Sequence, residues 1–280
     1  MTRSDQPKKP NRMKTLFFPL LLAVIFLLAM VACSADDSPA PAKTYVLVHG
    51  AWQAPYAWQF VKSQLEQKGQ QVVLVELPGH GSDMTQPATL TLDAYRDKVV
   101  TAINSITGNV VLVGHSMGGM VITATAEKIP DRIDKLVYIG AFLPANGQSL
   151  LALAATDSTS MLGPALVPSA DQLTLGLKPD RIVPVFIGDG SDAVKKLVID
   201  NYRPEPAIPF TNPVAITPAN FGRVNKFYVY TAQDQAVGLG LQKRMVTAAG
   251  IKNTITLSSS HCPFLSIPDQ VTNVLLTMLN

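Results

Sequence analysis

Cysteine is nearly absent. Cys33 and Cys262 are the only two in 280 residues, so at most one internal disulfide is available and the fold must stand on packing. Charge is scarce as well: Asp, Glu, Lys and Arg make up 15% of the chain against 47% hydrophobic residues, a balance that argues against disorder. Arg3, Lys8, Lys9, Arg12 and Lys14 against Asp5 hold +4 before residue 15, while the whole chain has a formal charge of +3, so the remainder carries −1. A body without a basic face argues against nucleic acid as a partner. The four histidines are scattered and lack the paired Cys or carboxylate spacing of a metal site. There is no G-x-G-x-x-G or Walker-type loop. No cofactor and no metal are implied.

What the chain does have first is one long apolar run, Leu16 to Ala32, broken only by Pro19 and placed between the basic opening and a polar stretch. That is the layout of a secretory signal, residues 1–32. Met30-Val31-Ala32-Cys33 resembles the lipobox of bacterial lipoproteins, with Met where Leu is usual, which implies lipidation of Cys33. The run has 17 residues, close to the lower limit for spanning a bilayer, so ordinary cleavage or an uncleaved anchor stay open. Every one of these readings exports the remainder, and the first expects a membrane partner through the lipid. Residues 33–43 (CSADDSPAPAK) suit a short flexible tether.

From Thr44 onward, β-rich and helical runs alternate. Tyr45–Val48 and Val72–Glu76 read as strands, with a helix from Trp58 to Lys68 that places Trp58, Val61 and Leu65 on one face. Strand, helix, strand at this spacing means a right-handed crossover and a parallel sheet. Helix over 90–106, strand over 109–114, helix over 117–128 and strand over 135–142 continue the rhythm. It breaks between Pro144 and Pro218, where 10 of the 21 prolines fall. Only 150–155 and 193–200 read as short helices there, and 144–218 is expected to be an inserted lid over an apolar pocket contributed by Leu150, Leu151, Leu153, Met161, Leu162, Leu166, Leu173 and Phe186. The rhythm returns with strands over 226–230 and 254–257 and helices over 241–249 and 269–279. The expected class is α/β with a mostly parallel sheet and helices on both faces. Its core spans 44–143 and 219–280.

Gly114-His115-Ser116-Met117-Gly118 matches G-x-S-x-G between an apolar strand and a helix, where the turn is so sharp that small residues must flank the serine. An alcohol near neutral pH needs a base to take its proton. Of the four histidines, only His261 follows the last strand, whereas His49, His80 and His115 suit loop packing and backbone hydrogen bonds. Asp234 follows the 226–230 strand and so ends at the same sheet edge as the serine, although it could instead cap a nearby helix. Asp131 and Asp134 lie at the other edge. The N–H groups of Met117 and Ala51 are candidate donors for an oxyanion. Cys262 reads as a small wall residue and Arg181 and Arg203 as surface groups.

His49-Gly50-Ala51-Trp52, Gly114 to Gly119, Ala141-Phe142-Leu143-Pro144, Thr231 to Ala236 and Ser260-His261 together resemble the α/β-hydrolases that include plant methyl-ester esterases, hydroxynitrile lyases and bacterial aryl and pyrethroid esterases. The resemblance covers about residues 44–280 and is weak across the insert. It implies Ser116 as nucleophile, His261 as base, Asp234 as acid, and Ala51 and Met117 as oxyanion donors. Lyases of that group carry Thr directly after the strand-end His and Lys directly after the catalytic His; here Gly50 and Cys262 stand in those places. A small-molecule carboxylic ester is therefore the expected substrate, with lyase-like chemistry or non-hydrolytic ligand binding as alternatives.

Overall fold

Val110 to Val113 and Leu136 to Ile139 are apolar without alternation, a pattern that requires cover on both faces of a sheet. They have it: every residue of these runs is buried. The computed structural model describes residues 42–277 together with Met1, Thr2, Asp5 and Gln6. The chain separates into Met1–Pro41 and Ala42–Asn280. The apolar run Leu16–Ala32, Cys33 and the tether up to residue 41 lie outside the described residues. Among the described residues, no helix is long and apolar enough to cross a membrane.

The first half alternates as its periodicity requires: β1 (Thr44–Val48), α1 (Gln59–Gln67), β2 (Gln71–Val75), α2 (Leu92–Asn104), β3 (Val110–His115), α3 (Gly118–Lys128) and β4 (Ile133–Ile139). Trp58 ends a single 3-10 turn leading into α1, and with Val61 and Leu65 it forms the fully buried face expected of that helix. Thr91 caps α2, its side chain accepting the Ala94 N–H at 3.1 Å.

Between β4 and the next core strand run α4 (Leu150–Ala154), α5 (Leu162–Ala165), β5 (Leu166–Pro168), β6 (Thr174–Leu177), α6 (Pro179–Phe186), α7 (Asp192–Asp200), β7 (Glu205–Pro206) and α8 (Ile208–Thr211). The two helices read from the sequence, α4 and α7, are there. A small antiparallel sheet β5-β6-β7 and α6 were not anticipated. The chain then completes β8 (Lys226–Thr231), α9 (Leu239–Ala248), β9 (Asn253–Leu257), α10 (Pro263–Ser266) and α11 (Pro268–Thr277).

The main sheet has the order β2-β1-β3-β4-β8-β9, and every neighbouring pair is parallel. Central β1 and β3 are buried throughout, whereas the edge strand β9 is exposed over four of its five residues. The step from β1 to β2 runs one way across the sheet and the steps from β2 to β3 and β3 to β4 run the other way. Right-handed crossovers then put α1 on one face and α2 and α3 on the opposite face. The carboxyl ends of β1 and β3, adjacent strands whose chains leave toward opposite faces, bound the crevice where open α/β sheets bind ligands.

Close approach at this crevice depends on glycine. A Cβ at Gly118 would sit 2.9 Å from the carbonyl oxygens of both Val48 and His49, one at Gly114 would sit 2.7 Å from the Gly118 oxygen, and one at Gly119 would collide with the Phe142 carbonyl. These are backbone atoms, so no side-chain rotation relieves the contact. Gly119→Ala should lower the unfolding free energy by about 2 kcal/mol or more, in the range of overpacked cores. Gly240→Ala, in α9, where the added Cβ would meet only the Arg244 side chain at 3.7 Å, should be neutral or gain up to about 1 kcal/mol. Urea unfolding of the two variants checks this, and equal midpoints would refute the packing argument.

Candidate active site

Ser116 lies in the two-residue turn between the end of β3 and the start of α3, with φ +53°. Only three non-glycine residues among those described have positive φ, and two of them, Trp52 and Ser116, flank this crevice. Such a conformation costs on the order of 1–3 kcal/mol per residue and persists only where the surroundings over-determine it. Here the Ser116 carbonyl is pinned by two donors, the N–H groups of Gly119 and Phe142, both at 3.0 Å. The serine hydroxyl is thereby held at the N-terminus of α3, where the helix dipole favours developing negative charge. The N–H groups of Met117 and Ala51 donate to no protein acceptor among the described residues.

Asp234 sits three residues beyond β8 and His261 four beyond β9, and the parallel register Thr231↔Leu257 brings both to the same sheet edge as Ser116. His261 Nδ1 donates to Asp234 Oδ2 at 2.8 Å, and both side chains are buried. The remaining lone pairs of the carboxylate are filled. Oδ1 accepts the N–H groups of Ala236 and Val237, each at 2.8 Å, and Oδ2 also accepts the Thr231 hydroxyl at 2.7 Å. Asp234 therefore does not cap α9, whose N-cap is Gly238 without a side-chain bond. With Nδ1 committed as donor, Nε2 of the neutral ring is an acceptor. No hydrogen bond joins the Ser116 hydroxyl to His261 among the described residues, a contact that commonly tightens only with substrate bound.

The residues around His261 are gripped from the insert. The Ser260 N–H donates to Asp189 Oδ2 at 2.9 Å, the Ser260 hydroxyl also reaches Asp189, and the Cys262 N–H donates to the Phe186 carbonyl at 3.1 Å. The Phe186 ring lies 5.8 Å from that of His261. Cys262 is fully buried with Gln53 Nε2 donating to Sγ at 2.9 Å, and burial holds its thiol well above the ordinary range. It is a wall residue, and a neutral one.

The other histidines do other work. His49 Nδ1 donates to the Gly50 carbonyl at 2.8 Å while Nε2 accepts the Leu77 N–H at 3.3 Å, so the ring is neutral. Burial and nearby His80 push its pKa down to about 3. His115 Nε2 donates to the His261 carbonyl at 2.9 Å, and desolvation holds the ring neutral. His80 is different: Nδ1 faces the Pro78 carbonyl at 3.0 Å and Nε2 faces a Glu205 oxygen at 2.8 Å. Both partners can only accept, so both nitrogens carry protons and the ring is cationic. Burial lowers its pKa, but the charge and hydrogen bond of Glu205 together with the Pro78 carbonyl outweigh that, and the net shift is upward.

Phe186, expected from the insert, stands beside His261 in an aromatic cluster whose other members, Trp52 and Phe210, were not read as pocket residues; Trp52 lies 5.6 Å and 5.7 Å from the Phe186 and Phe210 rings. Of the aliphatic residues expected to cover the pocket, Leu151 is half exposed. Leu153 instead lines a flank groove of about 540 Å³ with Leu143, Phe221, Leu241 and Met245, and none of the five site residues borders it. Arg203 donates to the carbonyls of Gly81 and Asp83 at 2.6 and 3.1 Å, bracing the loop after β2.

Residues 45–274 match the alpha/beta hydrolase family, and the chain belongs to that family. Five chloroplastic methylesterase homologues of Arabidopsis thaliana are 27–29% identical over 83–84% of this chain, which spans 55–71% of their lengths. Methylesterase 9 of the same plant is 25% identical over 84% of this chain and 97% of its own. Among solved structures, polyneuridine aldehyde esterase superposes with a TM-score of 0.77 at 23% identity, covering 86% of this chain and 100% of that one.

Proposed function

We propose that this chain is a serine carboxylesterase that hydrolyses small esters through an acyl-enzyme. The observation that carries the reading is the buried Asp234–His261 hydrogen bond at the sheet edge where Ser116 is held at positive φ. Ser116 Oγ attacks the ester carbonyl as His261 Nε2 takes its proton, while Asp234 orients the ring and stabilises its charged form. The Ala51 and Met117 N–H groups receive the oxyanion. His261 then protonates the departing alcohol and activates the water that releases the acid.

The relatives named as methylesterases support an ester as substrate. Lyase chemistry is disfavoured on space and charge. A side chain at residue 50 would place its Cβ 2.7 Å from His115 Nδ1 and 2.8 Å from Ser116 Cβ, and Cys262 offers no cation. In this reading residues 144–218 are a lid whose Phe186 and Phe210, with Trp52, enclose the apolar part of the ester.

Hydrolysis of p-nitrophenyl esters from acetate to palmitate tests the proposal. A short-chain optimum is expected, abolished by Ser116→Ala and reduced about 10⁴-fold in kcat by Asp234→Asn, as for triads in general. Equal rates for wild type and Ser116→Ala would sink it.

The same reading places the enzyme outside the cytoplasm, anchored by lipid on Cys33, on the strength of the basic opening, the apolar run and Met30-Val31-Ala32-Cys33. Full-length chain expressed in bacteria fed an alkynyl fatty acid should take up the label, and Cys33→Ser should not. An unlabelled wild type would remove the anchor from the account.

A further inference from the structure

Trp52 follows the oxyanion candidate Ala51, and the insert holds it on every side. Its backbone N–H donates to Glu205 Oε2 at 2.8 Å and its indole N–H to the Leu175 carbonyl at 2.7 Å, while Phe186 and Phe210 pack on the ring. Its φ is +59°, a region a bulky side chain avoids. Relief would come from rotating the peptide between residues 51 and 52. That rotation would swing the Trp52 N–H away from the carboxylate and release ψ at Ala51, whose own N–H lies in the preceding peptide and moves as the 50–52 loop relaxes.

Glu205 is an unusual residue to spend on such a contact. It lies in β7, is fully buried, and meets one cation, His80, through the same oxygen that accepts from Trp52. Its other oxygen makes no close hydrogen bond, and the buried hydroxyl of Tyr95 lies against the carboxylate. A buried ion pair is weak evidence of stability, since an apolar pair of similar size is often as stable or more so. Its value here is directional: a carboxylate is a strong acceptor for one particular N–H.

We infer that Glu205 is a positioning residue for the oxyanion hole: by accepting the Trp52 N–H it locks the 51–52 peptide and keeps the Ala51 N–H aimed above Ser116. The inference rests on the esterase reading and adds a role for the insert that substrate enclosure does not require. A merely structural Glu205 would affect folding, and one that only shapes the pocket would affect KM. A residue that aims an oxyanion donor affects the transition state.

The test uses the full chain with p-nitrophenyl acetate, comparing wild type, Glu205→Gln and the double variant Glu205→Met with His80→Leu. The double variant removes the acceptor without leaving a lone buried charge, and Gln keeps an oxygen for the Trp52 N–H. An aryl trifluoromethyl ketone serves as second probe, because addition of the serine oxygen to its carbonyl forms a hemiketal oxyanion as the proton passes to His261. The matching methyl ketone reports ground-state binding. In the double variant, kcat should fall about 10- to 100-fold with KM within about twofold. The inhibition constant of the trifluoromethyl ketone should rise by a comparable factor and that of the methyl ketone should stay level, and Gln should recover most of the loss. An unchanged kcat, a loss carried by KM alone, or a folded Gln variant that falls 100-fold would overturn the inference while leaving the esterase intact. If the double variant does not fold, the Gln variant decides: kcat and trifluoromethyl ketone affinity near those of wild type are expected, and a folded Gln variant that falls 100-fold in kcat would overturn the inference. A wild type that cleaves no ester and binds both ketones alike would instead overturn the esterase reading, and this inference with it.

Discussion

At the end of β3 the chain reverses into a helix within two residues, and the site depends on how near that helix can come to the strands beside it. Gly114, Gly118 and Gly119 leave no Cβ between α3 and the carbonyls of Val48, His49 and Phe142. The close fit forces Ser116 to positive φ, and that conformation lifts its side chain clear of the sheet. The same fit brings the amino end of α3 against the carboxyl end of β1. Tight backbone packing, rather than any single polar contact, is the constraint that sets the position of Ser116 and of the residues proposed to act with it.

Around this rigid elbow the partners are arranged by buried hydrogen bonds that leave few alternatives. Asp234 is saturated by donors from its own turn and from Thr231, so its one remaining direction points at His261. The insert supplies two further carboxylates in comparable roles. Asp189 holds Ser260 on one side of His261, and Glu205 holds Trp52 beside Ala51. Glu205 is fully buried and would be costly unpaired, whereas Asp189 is exposed; each is bonded to groups of the core. The insert is thus tied into the geometry of the site.

The parallel sheet was legible because its central strands are uninterrupted apolar runs and its helices repeat at a 3.6-residue period. G-x-S-x-G could be located because strand and helix stand on either side of it, and Asp234 and His261 because each follows a strand by three or four residues. The insert resisted reading for the opposite reason. β5, β6 and β7 are three, four and two residues long, and β6 pairs with β7 across 30 positions, Leu175 opposite Glu205. Strands that short carry no period. Pro184 inside α6 masked a helix that tertiary packing supports. Glu205, between Pro204 and Pro206, looks like a surface residue, and only the folded chain brings His80 and Trp52 to it.

The measurement that bears most directly on the central claim is covalent labelling by a fluorophosphonate, with the modified residue located by peptide mass spectrometry. An activated serine beside a histidine base displaces fluoride from phosphorus, so the account requires one adduct, on Ser116, absent in Ser116→Ala and slowed in Asp234→Asn. An intact, folded chain that forms no adduct, or forms it elsewhere, would contradict the account and leave the site as a binding pocket rather than a catalyst.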